Sequence, residues 1–259
     1  MSDEPELLVE TQDGVQTLTL NRPHRRNALS ASLVCSLRDA LGKAKVDEAV
    51  HVIVIKGAGG SFCAGGDLNP QQMSGGLQLH DTRTDFVELL DAFNTVGKPT
   101  VGQIEGRALG GGFGLALACD LAIATESAQL GTPEVRLGLF PMMIMPLIYR
   151  HMGRKQTLEL ILTGGKLTAQ EAKDAGCLNK VVPDDTIEAE VQAMVETLRG
   201  FSPAVHKLGL QHFHRGENMS LSEGAALGAD ALGINMMLED AAEGIMAFLS
   251  KRPPEWKGR

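Results

Sequence analysis

The sequence predicts an α/β fold, and three observations carry that prediction. Twice, at 53–68 and at 100–119, an apolar run breaks into glycines just ahead of a helical pattern. Val52–Ile55 is apolar at every position, as expected of a strand covered by helices on both faces. From about residue 200 onward the pattern is largely helical. The chain therefore divides on paper into an α/β core over 1–199 and a helical region over 200–259.

Taken in order, Leu7–Glu10 and Val15–Leu20 alternate around Asp13-Gly14, a strong hairpin signal. Asn21–Asn27 is a polar loop holding the densest basic cluster, Arg22, Arg25 and Arg26. Ser30 suits the N-cap of a helix through Leu41, with Leu33, Leu37 and Leu41 at helical spacing. Asn69–Thr84 is rich in Gln, Gly and Ser and reads as a flexible segment. Asp85–Val96 reads as a helix with Phe86, Leu89, Leu90 and Phe93 on one face.

Pro99–Ile104 and Leu121–Ala124 read as short strands. Met142–Ile148 reads either as a helix of core methionines or as a soft wall for an apolar ligand, because methionine fits irregular pockets. Thr168 with Glu171 forms a capping-box pattern for a helix through Gly176. Thr186–Arg199, a segment opening at Ser202-Pro203, and Ser220–Leu249 complete the helices.

Composition narrows the function. Hydrophobic residues make up 43% and aromatics 4%, with 30 glycines in 259 residues. The net charge of −8 disfavours a polyanion partner, so nucleic acid is not expected. No apolar run reaches the roughly 18 residues of a membrane span. Cys35, Cys63, Cys119 and Cys177 are scattered without a Cys-x-x-Cys pair, which indicates reduced thiols rather than a zinc site. The acidic start Met-Ser-Asp-Glu-Pro-Glu lacks an apolar secretory region, and a cytoplasmic setting is expected.

The chemistry sits in the two glycine turns. Thr100–Ile104 leads to Gly110, Gly111 and Gly112 at the head of an apolar helix. The first turn of a helix has N–H groups without internal partners, and its dipole favours negative charge there. Glycine also allows a ligand close to the backbone, although a single such triplet more often serves tight helix–strand packing. Gly59, Gly60, Gly65 and Gly66 form a second such turn after Ile53–Gly57. Two turns can each offer one N–H to a single oxygen, which is the geometry of an oxyanion hole. No Gly-x-Ser-x-Gly or phosphate-binding loop occurs, and His80, His151, His206, His212 and His214 form no metal-binding pattern.

The stretches Phe62–Leu68 and Gly106–Gly112 resemble the two signature turns of the crotonase family, the enoyl-CoA hydratase/isomerase family. Asn21-Arg22-Pro23, Asn27-Ala28-Leu29, Cys119-Asp120, Thr132-Pro133-Glu134 and the tail Glu239–Pro253 resemble further family motifs in the expected order. The resemblance spans almost the whole chain. It implies a spiral of ββα units and a helical C-terminal region that forms trimers, commonly paired as hexamers. It also implies an acyl-CoA substrate, with coenzyme A as part of the substrate and no other cofactor.

Carried over by position, the resemblance places the oxyanion donors on Gly66 and Gly111. Ala64, Gly65, Asp67 and Leu68 fall at the thioester end, with Gly110, Ala28, Arg26 and Met142 as further substrate contacts. One or more of Arg22, Arg25 and Arg26 would meet the CoA phosphates. Asp67 also reads as an N-cap, and Asp120 as a brace. Hydratases of the family use two glutamates. The second falls on Glu134, while the first falls on Gly114, which has no side chain. A single carboxylate suits a proton shuttle, so the expected reaction is the shift of a double bond from Δ3 to Δ2. Hydration, with Asp81, Asp85 or Glu88 as replacement acid, and a silent CoA-ester-binding paralogue are the alternatives. Without the resemblance Glu134 would read as a solvated turn carboxylate paired with Arg136.

Overall fold

The computed structural model describes residues 4–68 and 76–259, and for residues 76–82 the backbone alone. The hairpin forms as expected. Strands β1 (Leu7–Gln12) and β2 (Val15–Leu20) pair antiparallel across Asp13 and Gly14, both at positive φ. Strands β3 (Val52–Gly57), β4 (Thr100–Ile104), β6 (Leu121–Thr125) and β9 (Lys180–Val182) continue the sheet in parallel, in the order β1-β2-β3-β4-β6-β9. A smaller sheet joins β5 (Arg107–Leu109), β7 (Gln129–Gly131) and β8 (Lys166–Thr168).

The two-sided strand expected at Val52–Ile55 is buried on both faces. Successive side chains of a strand point to opposite faces. Val52 and Val54 join Val101 and Ile123 under helix α7 (Ile187–Arg199), through Ile187, Val191 and Val195. Ile53 and Ile55 face the larger core, with Leu33, Leu37 and Leu41 of α1 (Ala31–Val46) and Leu89 and Phe93 of α2 (Gly76–Thr95). Each such side chain contributes roughly 1.5–3 kcal/mol when fully buried. Ser30 caps α1, its hydroxyl accepting from the Leu33 N–H at 3.1 Å.

Helix α2 begins at Gly76, nine residues ahead of the expected start, so the flexible reading of 76–84 is corrected. No proline interrupts this stretch. Once the half bearing Phe86, Leu89 and Phe93 is packed, adding turns costs little. The rest of the expected segment, 69–75, lies outside the described residues.

Helix α3 (Gly111–Ala118) follows β5 directly. The methionine segment is also corrected. Helix α4 spans Met145–His151 and opens with Pro146 in its first turn, leaving Met142 and Met143 outside it. They are 65% and 42% exposed, so they are not core residues. Helix α5 (Arg154–Thr163) had no expected counterpart. Helix α6 (Ala169–Asp174) carries the capping box of Thr168 and Glu171.

Helices α8 (Pro203–Gly216), α9 (Leu221–Asn235) and α10 (Glu239–Leu249) form the C-terminal part. Ser202 caps α8, and its hydroxyl also donates to Asp240 at 2.5 Å. Asp240 is buried and accepts from the Lys257 and Gly258 N–H groups, which ties the tail to α10. No helix among the described residues is long and apolar enough to cross a membrane.

Candidate active site

The first glycine turn is built on Asn27. Its side chain is fully buried and donates to the carbonyls of Ala58 and Ser61 at 2.9 and 2.6 Å. The turn then lies alongside β5: the Cys63 N–H donates to Arg107 O and the Leu109 N–H to Cys63 O, at 2.7 and 2.9 Å. On its other side the Leu29 N–H donates to Gly65 O at 2.8 Å, and the Asp67 N–H to Leu29 O at 3.0 Å. The Gly66 N–H between these bonds has no acceptor among the described residues.

The second turn leaves its own amide free. Gly110, at φ +53°, donates to Gly131 O at 2.8 Å. Gly111 then opens α3, and its N–H has no acceptor among the described residues. The two turns touch. A Cβ on Gly65 would lie 2.9 Å from Leu109 O and 3.7 Å from the Gly111 nitrogen, and one on Gly112 would lie 2.2 Å from Cys63 O. Side chains here would hold the turns apart, which is the physical reason for glycine at both.

Glu134 stands beside them. It lies in a short 3-10 helix, Pro133–Leu137, fixed by Pro133 in the first turn and Gly138 at the end. Thr132 anchors the start through its hydroxyl to Leu160 O at 3.2 Å. The Glu134 Oε1 is 2.9 Å from where a Cβ on Gly110 would stand, so the carboxylate rests on the glycine turn. Its Oε2 is buried without a hydrogen-bond partner among the described residues. Burial pushes the Glu134 carboxyl above its usual value, and a backbone hydrogen bond only partly opposes this. Among the described residues no ion pair joins Glu134 to Arg136, so the paired-turn reading is corrected.

Gly66, Gly111 and Glu134 line one cavity of about 850 Å³. Ala64, Gly65, Leu68, Gly110 and Met142 line it too, as does Met143. Where a side chain at position 114 would begin, the space is filled: a Cβ there would lie 2.3 Å from Ile144 Cγ2 and 3.8 Å from Phe86 Cζ. The cavity is thus hydrocarbon where a second carboxylate would stand.

Three expected contacts do not line the cavity: Asp67, Ala28 and Arg26. Asp67 is held by Arg22, Oδ2 to Nη2 at 2.7 Å, and residues 67 and 68 are not helical, so the N-cap reading is corrected. Arg22 itself is 9% exposed and also pairs with Glu6 at 2.8 Å. It is a buried brace, because its charge is already matched inside the protein, and its expected phosphate contact is corrected. Arg25 and Arg26 are exposed. The Arg26 carbonyl accepts from the Ala64 N–H at 3.0 Å, so its part in the site is through the backbone.

Asp120 braces the junction as expected, accepting from the Thr100 N–H and hydroxyl at 2.8 and 2.7 Å. Asp85 and Glu88 both bind Arg38, at 2.6 and 2.7 Å, and neither lines the cavity. Neither is placed to replace an acid at position 114, and the Asp81 side chain lies outside the described residues. No group of three or more metal-ligating side chains occurs among the described residues. The roles of Phe86 and Ile144 were missed from the sequence. Both read there as ordinary core residues, and no spacing signal marks them otherwise.

Comparison with known proteins agrees with this architecture. The family described as enoyl-CoA hydratase/isomerase matches residues 10–259. A 2,3-dehydroadipyl-CoA hydratase of Escherichia coli is 37% identical over 257 residues, covering 98% of this chain and 99% of its relative. A putative enoyl-CoA hydratase of Thermus thermophilus is 34% identical, covering 96% and 100%. The crystal structure of an enoyl-CoA hydratase from Mycobacterium smegmatis superposes with a TM-score of 0.94 at 33% identity, covering 98% and 99%. The chain therefore belongs to the enoyl-CoA hydratase/isomerase family, as an enzyme of the hydratase or isomerase kind.

Proposed function

We propose that this enzyme moves a double bond in an acyl-CoA thioester from Δ3 to Δ2, with Glu134 as the acid/base. In this reading the thioester oxygen lies between the Gly66 and Gly111 N–H groups. Glu134 takes a proton from C2, and the electron pair moves onto the thioester oxygen to give a dienolate. The two amides hold that charge in a site with few competing dipoles. Glu134 then returns the proton to C4, and the double bond stands between C2 and C3. The steps draw only on groups of this chain and the CoA ester, and no other cofactor is invoked.

The observation that carries the reading is Ile144 against Gly114. Acid-assisted addition of water needs a second group within hydrogen-bond reach, and hydrocarbon fills that place. A raised Glu134 carboxyl beside two amides that have no acceptor among the described residues speaks against a silent binding paralogue. Hydration remains the second reading, because the relatives bear hydratase names. The test is incubation with 3-hexenoyl-CoA and with 2-hexenoyl-CoA in heavy water. The isomerase reading expects interconversion with deuterium at C2 and C4. Formation of 3-hydroxyhexanoyl-CoA as the main product would overturn it.

The exposed apolar side chains of the C-terminal helices support a trimer or hexamer. Leu221, Met237 and Phe248 are 90%, 85% and 83% exposed, which a neighbouring copy would cover.

A further inference from the structure

One charged group on the cavity wall is left unused by this chemistry. Arg83 lines the cavity from α2, three residues before Phe86 and so on the same face of the helix. Phe86 reaches the Gly111 and Gly114 positions, its Cζ 3.6 and 3.8 Å from where their Cβ atoms would stand. Arg83 is therefore one helical turn from the reacting region. The nearby carboxylates Asp85 and Glu88 are taken by Arg38. Among the described residues nothing accepts a hydrogen bond from Arg83 or pairs with it. Among the described residues Glu134 is the other ionisable side chain on the wall, and its buried Oε2 has no partner among them. Among the described residues every other lining residue is glycine, alanine, proline, hydrocarbon or methionine.

A guanidinium offers a planar fork of donors that fits a carboxylate, and no group among the described residues fills it here. Arg83 is exposed, so beside a plain hydrocarbon chain its guanidinium would be left to water. A chain ending in a carboxylate would give it an acceptor and still lay its methylenes along the apolar wall. We infer that Arg83 is a specificity residue selecting acyl-CoA thioesters whose far end carries a carboxylate. The inference rests on the proposal that this cavity holds the acyl group. The same fork would also fit a phosphate of coenzyme A, so the test separates the two anions.

The test is equilibrium binding of adipoyl-CoA, hexanoyl-CoA and free CoA to the wild-type protein, Arg83→Met and Arg83→Lys. These saturated thioesters differ only at the far end and cannot undergo the double-bond shift. The binding result is therefore independent of whether the isomerase reading holds. The wild type should prefer adipoyl-CoA over hexanoyl-CoA by about tenfold or more. Arg83→Met should bring that ratio close to one through loss of adipoyl-CoA affinity alone, and Arg83→Lys should keep part of it. Weakening of all three ligands alike would put Arg83 on a CoA phosphate and overturn the inference. Unchanged affinities would overturn it too, leaving a solvated arginine. Thermal melts of both variants show whether each is folded.

Discussion

Ile144 fills the space that a side chain at position 114 would need. Its Cγ2 lies 2.3 Å, and its Cβ 3.1 Å, from where a Cβ on Gly114 would stand. Gly114 is in the middle of α3, where glycine is otherwise a poor choice. Alanine there would gain up to about 1 kcal/mol in helix propensity. Overpacking against a 3%-exposed isoleucine costs roughly 1–3 kcal/mol and outweighs the gain. Gly114→Ala should therefore destabilise the protein, and Ile144→Ala should offset part of that loss in the double variant. Urea unfolding of the cycle measures it; additive effects would show that the two residues do not compete for space.

Glu134→Gln should lower turnover of a 3-enoyl-CoA by at least about 10²-fold while leaving hexanoyl-CoA affinity within a few-fold. The amide keeps the shape of the side chain and its contact with the Gly110 turn but cannot carry the proton. Steady-state kinetics with a binding titration separate the two effects. Near-wild-type turnover would remove Glu134 from the chemistry.

Activity and stability should depend on pH in opposite senses at Glu134. As a base it must be ionised, so kcat/KM should rise with pH through a value above the usual 4.5. The folded state holds this proton more tightly than the unfolded chain does. Its contribution to stability is therefore lost as pH rises from about 4.5 through the raised value. Glu134→Gln removes that loss, so its Tm relative to wild type should climb across the same window. A Tm difference that stays flat with pH would mean that the carboxylate is well solvated.

The three arginines of the N-terminal loop should behave differently. Removing one partner of a buried ion pair costs about 3–5 kcal/mol. Arg22→Ala should approach that loss, because it leaves Asp67 and Glu6 unmatched beside the first glycine turn. Its effect on CoA affinity should not depend on salt. Arg25→Ala and Arg26→Ala should be nearly neutral in stability, and any effect they have on CoA affinity should shrink as salt rises. Thermal melts and titrations at two ionic strengths check both; a stable Arg22→Ala would contradict the brace.

Much of this was legible in the sequence because the signals were local. Asp13-Gly14 fixed a hairpin, Ser30 a cap, and Thr168 with Glu171 a capping box, each acting over a few residues. The glycine turns and Glu134 were legible as motifs. What escaped depended on distant partners. Arg22 looked like its neighbours Arg25 and Arg26, and only the fold brings Asp67, 45 residues away, against it. Ile144 and Phe86 are ordinary apolar residues until the start of α4 and the middle of α2 are packed against Gly114 of α3. The early start of α2 was hidden by a polar stretch whose helicity follows from packing further along the same helix.

The central claim is that two backbone amides from separate turns hold one thioester oxygen, and a crystal structure with bound hexanoyl-CoA tests it most directly. The Gly66 and Gly111 nitrogens should both lie about 2.7–3.1 Å from that oxygen, with Glu134 against C2. An oxygen out of reach of either nitrogen, or bonded instead to a side chain, would contradict the account.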